Sequence, residues 1–450
     1  MDKNFYWGVA TSSYQIEGNS GKKGKDIWDE FCNQENKIID SSSGKIACDH
    51  INRYKEDITL MKKLGITSYR FSISWSRIFP NGEKEINEEG VLFYHNLIDC
   101  LIENKITPFI TVFHWDLPYA LHLKGGWLNS DCVKWFSDYC AFVSKEYSDK
   151  VKYFITMNEP QCFAVLGYQT GDFAPGLKVS LSEQFQIIHN ILLSHGSGVR
   201  ALRENAKQGL CIGYAPTAEV AIPETDSKED IESARKCYFD CQEVSNPKFL
   251  WNVSIFSDPI FLGDYPEKYY INYKNYLPKI TKEALNLIST PIDFLGQNIY
   301  NGYPVSSDGK GGYKYGQRKQ GYDHTDMGWP ITPSSLYWGP KFLYERYKKP
   351  IIITENGMAN ADIVSQDGKI HDSNRIEFLN RYIGELLRAK KDNVDIRGYF
   401  LWSLLDNFEW NSGYSKRFGI VHVDYENQKR TIKDSGYWYQ DFIKNNLIIH

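Results

Sequence analysis

Eight short runs rich in apolar, aromatic and β-branched residues recur along this 450-residue chain, at positions 7–11, 68–74, 107–113, 153–157, 210–215, 294–298, 351–354 and 398–403. They need not alternate polar with apolar letters, because strands of a parallel sheet are buried on both faces. Segments of helical periodicity separate them. Residues 89–103 place Val91, Phe93, Tyr94, Leu97, Ile98 and Leu101 at helical intervals, with charges on the other side. Residues 375–390 do the same through Ile376, Leu379, Tyr382, Ile383, Leu386 and Leu387. Strand–helix alternation repeated eight times predicts an α/β fold, a single (β/α)8 TIM barrel over residues 1–450 with its active site at the C-terminal strand ends. A doubly wound open sheet is the alternative. It is weakened because no Gly-rich turn follows the first run.

Charge narrows the function. With 52 basic and 56 acidic side chains the net charge is -4, which gives no electrostatic reason to expect nucleic acid or an anionic membrane. A neutral small molecule is the expected partner. Aromatic residues are abundant (31 Tyr, 24 Phe, 12 Trp), and while most serve a large core, a minority sit beside polar residues at the ends of the apolar runs. The nine cysteines include no Cys-x-x-Cys pair, and Cys237 and Cys241 lack the further His or Cys that would complete a zinc site. Free thiols in a reducing compartment, with no metal, are expected. The start Met1-Asp2-Lys3-Asn4 lacks a signal-peptide core, and no apolar stretch reaches membrane-spanning length. These features predict a soluble, cytoplasmic protein. They leave the oligomeric state open, a homo-oligomer included.

In a TIM barrel, chemistry sits where strands give way to the following loops. Those positions carry Gln15 and Glu17, Arg70, His114-Trp115-Asp116, Asn158-Glu159-Pro160, Asn298-Ile299-Tyr300, Glu355-Asn356-Gly357, and Trp402 through Glu409-Trp410. Amide, carboxylate, imidazole and indole groups are the types that hold and cleave a sugar. Glycoside hydrolysis needs one carboxyl group to protonate the leaving oxygen and another to meet the oxocarbenium centre. Glu159 and Glu355 end runs four and seven, which face each other across an eight-stranded barrel. Arg70 is expected to keep Glu355 ionised as a nucleophile, with Tyr300 donating to it. Glu159, beside that negative charge and an apolar wall, is expected to keep its proton near neutrality.

At Asn158-Glu159-Pro160 and Thr354-Glu355-Asn356-Gly357 the sequence resembles glycoside hydrolase family 1, the β-glucosidase family. The likeness runs from Phe5-x-Trp7-Gly8-x-Ala10-Thr11-x-x-Tyr14-Gln15-x-Glu17-Gly18 to Trp402-Ser403-Leu404-x-Asp406-Asn407-x-Glu409-Trp410. Tyr69-Arg70-x-Ser72-x-x-Trp75-x-Arg77 and His114-Trp115-Asp116-x-Pro118 fall between them in family order. The resemblance implies a retaining double displacement, no cofactor, Glu159 as acid/base and Glu355 as nucleophile. It implies that Gln15, His114, Asn158, Glu409 and Trp410 bind the glycone, with Trp402 as its stacking floor. Arg70, Asn298 and Tyr300 match the family's residues around the nucleophile, and Tyr300 also counts with the substrate-binding set.

On the aglycone side, Trp329 resembles the family's platform, at the end of a stretch (301–330) expected to form a mobile loop. Cys162 and Gln161 are expected to line that side too. The substrates implied are terminal β-D-glucosides: cellobiose, short cello-oligosaccharides and aryl glucosides, with β-galactosides and β-fucosides as further candidates. Two alternatives remain: a 6-phospho-β-glucosidase, which Ser412, Lys416 and Arg417 would serve but the intact Glu409-Trp410 pair opposes, and a sugar-binding barrel without catalysis.

Overall fold

The eight runs form eight strands. In a computed structural model, which describes residues 5–448, they are β1 (Tyr6–Ala10), β2 (Ser68–Ser72), β3 (Thr107–Phe113), β4 (Tyr153–Asn158), β5 (Cys211–Ala215), β7 (Phe294–Asn298), β10 (Ile351–Asn356) and β11 (Ile396–Trp402). They close into one barrel, ordered β1-β11-β10-β7-β5-β4-β3-β2, with every neighbouring pair parallel. The polar start Met1-Asp2-Lys3-Asn4 lies outside the described residues. Three further strands, β6 (Val220–Pro223), β8 (Gly302–Ser307) and β9 (Tyr313–Tyr315), build a small sheet outside the barrel. Their presence corrects the expectation of one open loop over 301–330. Val305 and Ser307 pair with Tyr315 and Tyr313, so much of that stretch is a hairpin.

The two predicted helices span Glu88–Glu103 and Ser373–Lys391. Each buries the expected stripe, for example Leu97, Ile98 and Leu101, or Leu379, Tyr382 and Ile383. Burying each such side chain contributes about 1.5–3 kcal/mol before entropy is subtracted. Inside the barrel a separate apolar cluster gathers Ala10, Phe109, Ile155, Phe294 and Phe400. Phe400 packs edge-on to Phe109, with ring centroids 4.9 Å apart. Gly213 makes room for one of these rings, since a Cβ there would overlap Phe294. This cluster fills the barrel interior with side chains.

Among the described residues no helix is long and apolar enough to cross a membrane, and all nine cysteines are free.

Candidate active site

Two strands change register just before their functional residues. Against β7, β10 shifts between Ile353 and Glu355, and β4 shifts against β5 between Ile155 and Asn158. Such a bulge inserts backbone and re-aims the next side chain. Three residues of the mouth also adopt left-handed backbone, with φ of 76° at Trp115, 40° at Glu159 and 49° at Trp410. For residues with a Cβ this costs on the order of 1–3 kcal/mol each, and it persists only where surrounding contacts impose it. Gly357, directly after Glu355-Asn356, must be glycine because a Cβ there would overlap the Trp402 carbonyl oxygen.

Glu159 and Glu355 line the same cavity, together with His114, Asn158, Tyr300 and Trp402. Both are buried, and their partners differ. Arg70 Nη1 donates to Glu355 Oε1 at 2.6 Å, and the Tyr300 hydroxyl donates to Oε2 at 2.7 Å. Asn298 Nδ2 donates to Glu159 Oε1 at 2.7 Å and the Cys162 thiol donates to Oε2 at 3.0 Å. One carboxylate therefore holds a full positive charge and the other holds only neutral donors.

Burial, and then the negative charge of Glu355, raise the Glu159 pKa from 4.5 to about 7. Glu355 is also pushed up by burial, and Arg70 first, then Tyr300, pull it back down. Arg70 and Tyr300, the two groups expected to favour ionised Glu355, both act in that direction, but desolvation is the larger influence.

Arg70 is fully buried and held on four sides. It donates through Nε to Thr111 Oγ1 (2.9 Å), through Nη1 also to the Thr354 carbonyl (3.1 Å), and through Nη2 to Asn158 Oδ1 (2.6 Å). Asn298 spans the two carboxylate neighbourhoods, donating to Asn158 Oδ1 at 3.0 Å as well as to Glu159, and accepting from Thr354 Oγ1 at 2.6 Å. Thr111 and Thr354 were not foreseen as site residues. Their signal was available, as polar letters inside otherwise apolar strands.

Asn158 Nδ2 lies 3.0 Å from His114 Nε2. Burial and then Arg70 hold the imidazole well below its ordinary pKa, so it is neutral. With Asn158 donating to Nε2, the proton sits on Nδ1, which is buried without a protein partner.

Glu409, Trp402 and Trp410 line the same end. Burial, then Glu355 and Glu159, raise Glu409 from 4.5 to about 8. Trp402 stacks near His114 (5.8 Å, 21°), and Trp410 packs on Trp115 at 4.5 Å. Gln15 is placed differently from the expectation. It is fully buried and does not line the cavity; its Nε2 donates to Asn407 Oδ1 (3.0 Å), to the Phe408 carbonyl (2.9 Å) and, at 3.4 Å, to Glu409 Oε2.

Cys162 and Trp329 also line the cavity, and Trp329 packs on Tyr300 at 5.2 Å. Cys162 opens a π-helical segment, Cys162–Thr170, which places its thiol against Glu159. Gln161 does not line the cavity. It is buried, with Oε1 at 3.4 Å from the Thr217 amide.

The cations of the phosphate alternative are already paired, Lys416 with Asp326 (3.2 Å) and Arg417 with Asp406 (2.7 Å), and neither lines the cavity. Among the described residues no three His, Cys, Asp or Glu side chains gather as a metal-ligand set.

The chain is similar to known proteins over nearly its whole length. The model of glycosyl hydrolase family 1 matches residues 1–448. β-Glucosidase A of Thermotoga maritima is 44% identical over 447 residues, covering 99% of this chain and 98% of that protein. The 1,4-β-D-glucan glucohydrolase of Thermotoga neapolitana is likewise 44% identical over 447 residues, with 99% and 98% covered. A solved structure of the Thermotoga maritima β-glucosidase in complex with galacto-hydroximolactam superimposes with a TM-score of 0.90 at 43% identity, covering 99% of both chains.

Proposed function

The chain belongs to glycosyl hydrolase family 1 and is a retaining β-glucosidase; from that premise we propose that Glu355 is its nucleophile and Glu159 its acid/base. The asymmetry of the two carboxylates in one cavity supports these roles. The Arg70 guanidinium and Tyr300 hydroxyl favour the ionised form of Glu355. Glu159, raised to about 7, holds a proton at the pH where a leaving oxygen must receive one.

In the first step Glu355 forms a bond to the anomeric carbon while the glycosidic bond breaks, and Glu159 passes its proton to the departing oxygen. The ester carries no charge, so the repulsion that raised Glu159 disappears and it becomes the base. It then takes a proton from water, whose oxygen displaces Glu355 from the sugar. Two inversions restore the β configuration.

The glycone is read by the groups around this pair. His114 Nδ1 is a free donor, and Asn158 is oriented by Arg70 and Asn298 to meet the 2-hydroxyl. Trp402 offers the ring face, with Trp410 closing the wall. Glu409 takes adjacent hydroxyls, and Gln15 completes that pair from behind. Trp329 and Cys162 face the aglycone.

Terminal β-glucosyl residues of cellobiose, short cello-oligosaccharides and aryl glucosides are the proposed substrates, a reading supported by the glucan glucohydrolase name of one relative. Acceptance of β-galactosides and β-fucosides draws support from the galacto-configured ligand of another. We take residues 1–450 as one domain, and the nine free thiols support a soluble, cytoplasmic protein.

Trapping tests the nucleophile. Incubation with a 2-deoxy-2-fluoro-β-glucoside bearing a good leaving group is expected to leave a stable ester, found by peptide mass spectrometry on the peptide containing Glu355. A label on any other carboxylate overturns the assignment.

A further inference from the structure

Two thiols line the cavity, and they stand in different company. Cys237 belongs to the outer end, where Trp251, Tyr303 and Tyr315 line the wall, and its sulfur lies 3.7 Å from the Tyr303 hydroxyl. Cys162 belongs to the inner end, and its thiol meets Glu159 Oε2 at 3.0 Å.

The local backbone imposes this contact. Glu159 has a φ of 40°, its amide donates to the Ala215 carbonyl at 2.7 Å, and its own carbonyl accepts from the Cys162 amide at 2.9 Å. The π-helical segment starts at Cys162, so the turn that follows the carboxyl group also carries the thiol. Both side chains are buried.

The surrounding hydrogen bonds decide which oxygen of Glu159 carries a proton. Arg70 has only donors, so the Asn158 atom that it meets is the oxygen. That oxygen faces Asn298 Nδ2, and the same nitrogen donates to Glu159 Oε1, which is thereby held as an acceptor. The Thr354 hydroxyl satisfies the other end of the Asn298 amide. The proton of Glu159 therefore favours Oε2, the oxygen that Cys162 faces. Burial, then the charge of Glu159, hold the thiol well above its ordinary pKa, so it keeps its own proton. A thiol is a weak donor. It supports the carboxylate during the base step without displacing the proton that the acid step needs.

We propose that Cys162 is a positioning residue for the acid/base: its thiol fixes Oε2 of Glu159 as the oxygen that exchanges the proton, and stabilises the carboxylate that takes a proton from water. This rests on the assignment of Glu159 as acid/base and adds a partner to that role. The other charged and titratable groups near Glu159 are Glu355 and Arg70, with Glu409, Tyr300 and the neutral His114 in the same site. None belongs to the Cys162 turn, so a change of the thiol leaves them in place.

The test is the pH dependence of kcat/KM for an aryl β-glucoside in the wild type, Cys162→Ser, Cys162→Ala and Cys162→Val. Its basic limb reports the ionisation of Glu159 in the free enzyme. Serine is the stronger donor and should move that limb to lower pH by about 0.5 pH unit, whereas alanine and valine donate nothing and should move it up by a similar amount. The acidic limb should stay in place, because Glu355 ionises while Glu159 still holds its proton. Opposite shifts for serine and for the donor-free pair, confined to the basic limb, uphold the proposal. A limb that does not move, a shift of one sign in all three variants, or a displacement of both limbs together overturns it and leaves the acid/base reading standing. The same profile for Glu159→Ala on an activated aryl glucoside checks that reading separately, and a basic limb that persists there overturns both.

Discussion

The two ends of the cavity are built on opposite principles. At the inner end the functional side chains stand on barrel strands or directly after them, are nearly all buried, and are held by several bonds each, as Arg70 is by Thr111, Thr354, Asn158 and Glu355. At the outer end the walls are loop and hairpin, the large rings are partly exposed, and Lys248 is paired with Glu219 while Arg318 is held by the Gly302 carbonyl. Stiff geometry is what a reaction at one carbon atom requires, because misplacement by an ångström is expensive in rate. Recognition of a leaving group tolerates more give, and loops can vary without disturbing the barrel. If the division is real, damage inside must act on every substrate, and damage outside must depend on what is attached to the sugar.

Replacing the nucleophile is the most severe test. Glu355→Gly is expected to lower kcat on the order of 10⁵-fold for all glycosides, since no covalent intermediate can form. Added azide should then yield a glycosyl azide of inverted configuration. Near-normal hydrolysis in the variant would remove the inner end's claim to the chemistry.

Glu159→Ala should be less uniform. Substrates with poor leaving groups are expected to lose about 10²–10⁴-fold in the glycosylation step, and activated aryl glucosides far less, because only the former need the proton. Discrimination here follows leaving-group acidity and ignores chain length. Equal losses across the aryl series would contradict the role and blur the boundary between the two ends.

Trp329 stands at that boundary, touching Tyr300 on one side and Phe418 on the other, with ring centroids at 5.2 and 6.1 Å. For Trp329→Ala, KM for aryl glucosides should rise about tenfold while kcat changes little, a loss of binding shared by ground and transition states. A fall in kcat with KM unchanged would mean that Trp329 acts through Tyr300 on the nucleophile, and so belongs to the inner end.

The sequence made the inner end readable and left the outer end largely dark, for a physical reason. Parallel strands buried on both faces announce themselves as apolar runs, and polar letters at their ends have few structural uses, which is how Glu159, Glu355, Arg70 and His114 stood out. The register shifts in β4 and β10 and the left-handed backbone at Glu159 carry no letter of their own, because ordinary residues are forced into them by their surroundings. Gln15 was visible as a strand-end amide, but its position behind Glu409 depends on residues nearly 400 positions away in the chain. The outer lobe unites 217–219, 240–252 and the β8–β9 hairpin, segments with no shared periodicity, and the stretch read as an open loop hid two strands.

The smallest expected effect separates the two ends by stability. Glu409 is buried beside Glu355 and Glu159, and its pKa stands near 8 in place of 4.5. A carboxyl group with a raised folded-state pKa favours the folded protein fully below pH 4.5, where it is protonated in both states, and loses that advantage as pH rises through 8. The same sign holds for Glu159 up to about pH 7. The inner end therefore imposes a cost on the fold in alkaline solution, in exchange for a desolvated carboxyl group that a sugar hydroxyl can bind.

Glu409→Gln removes the charge and keeps the shape. Its melting temperature should exceed the wild type's by about 2 °C at pH 9 and match it near pH 4.5, while kcat/KM for every glucoside falls. Trp251→Ala, at the outer end, should leave both the melting temperature and its pH dependence as they were. Equal pH dependence of stability in Glu409→Gln and wild type would show that the site is solvated well enough to hold its charges at no cost, and the contrast between a strained inner end and a relaxed outer one would lose its energetic basis.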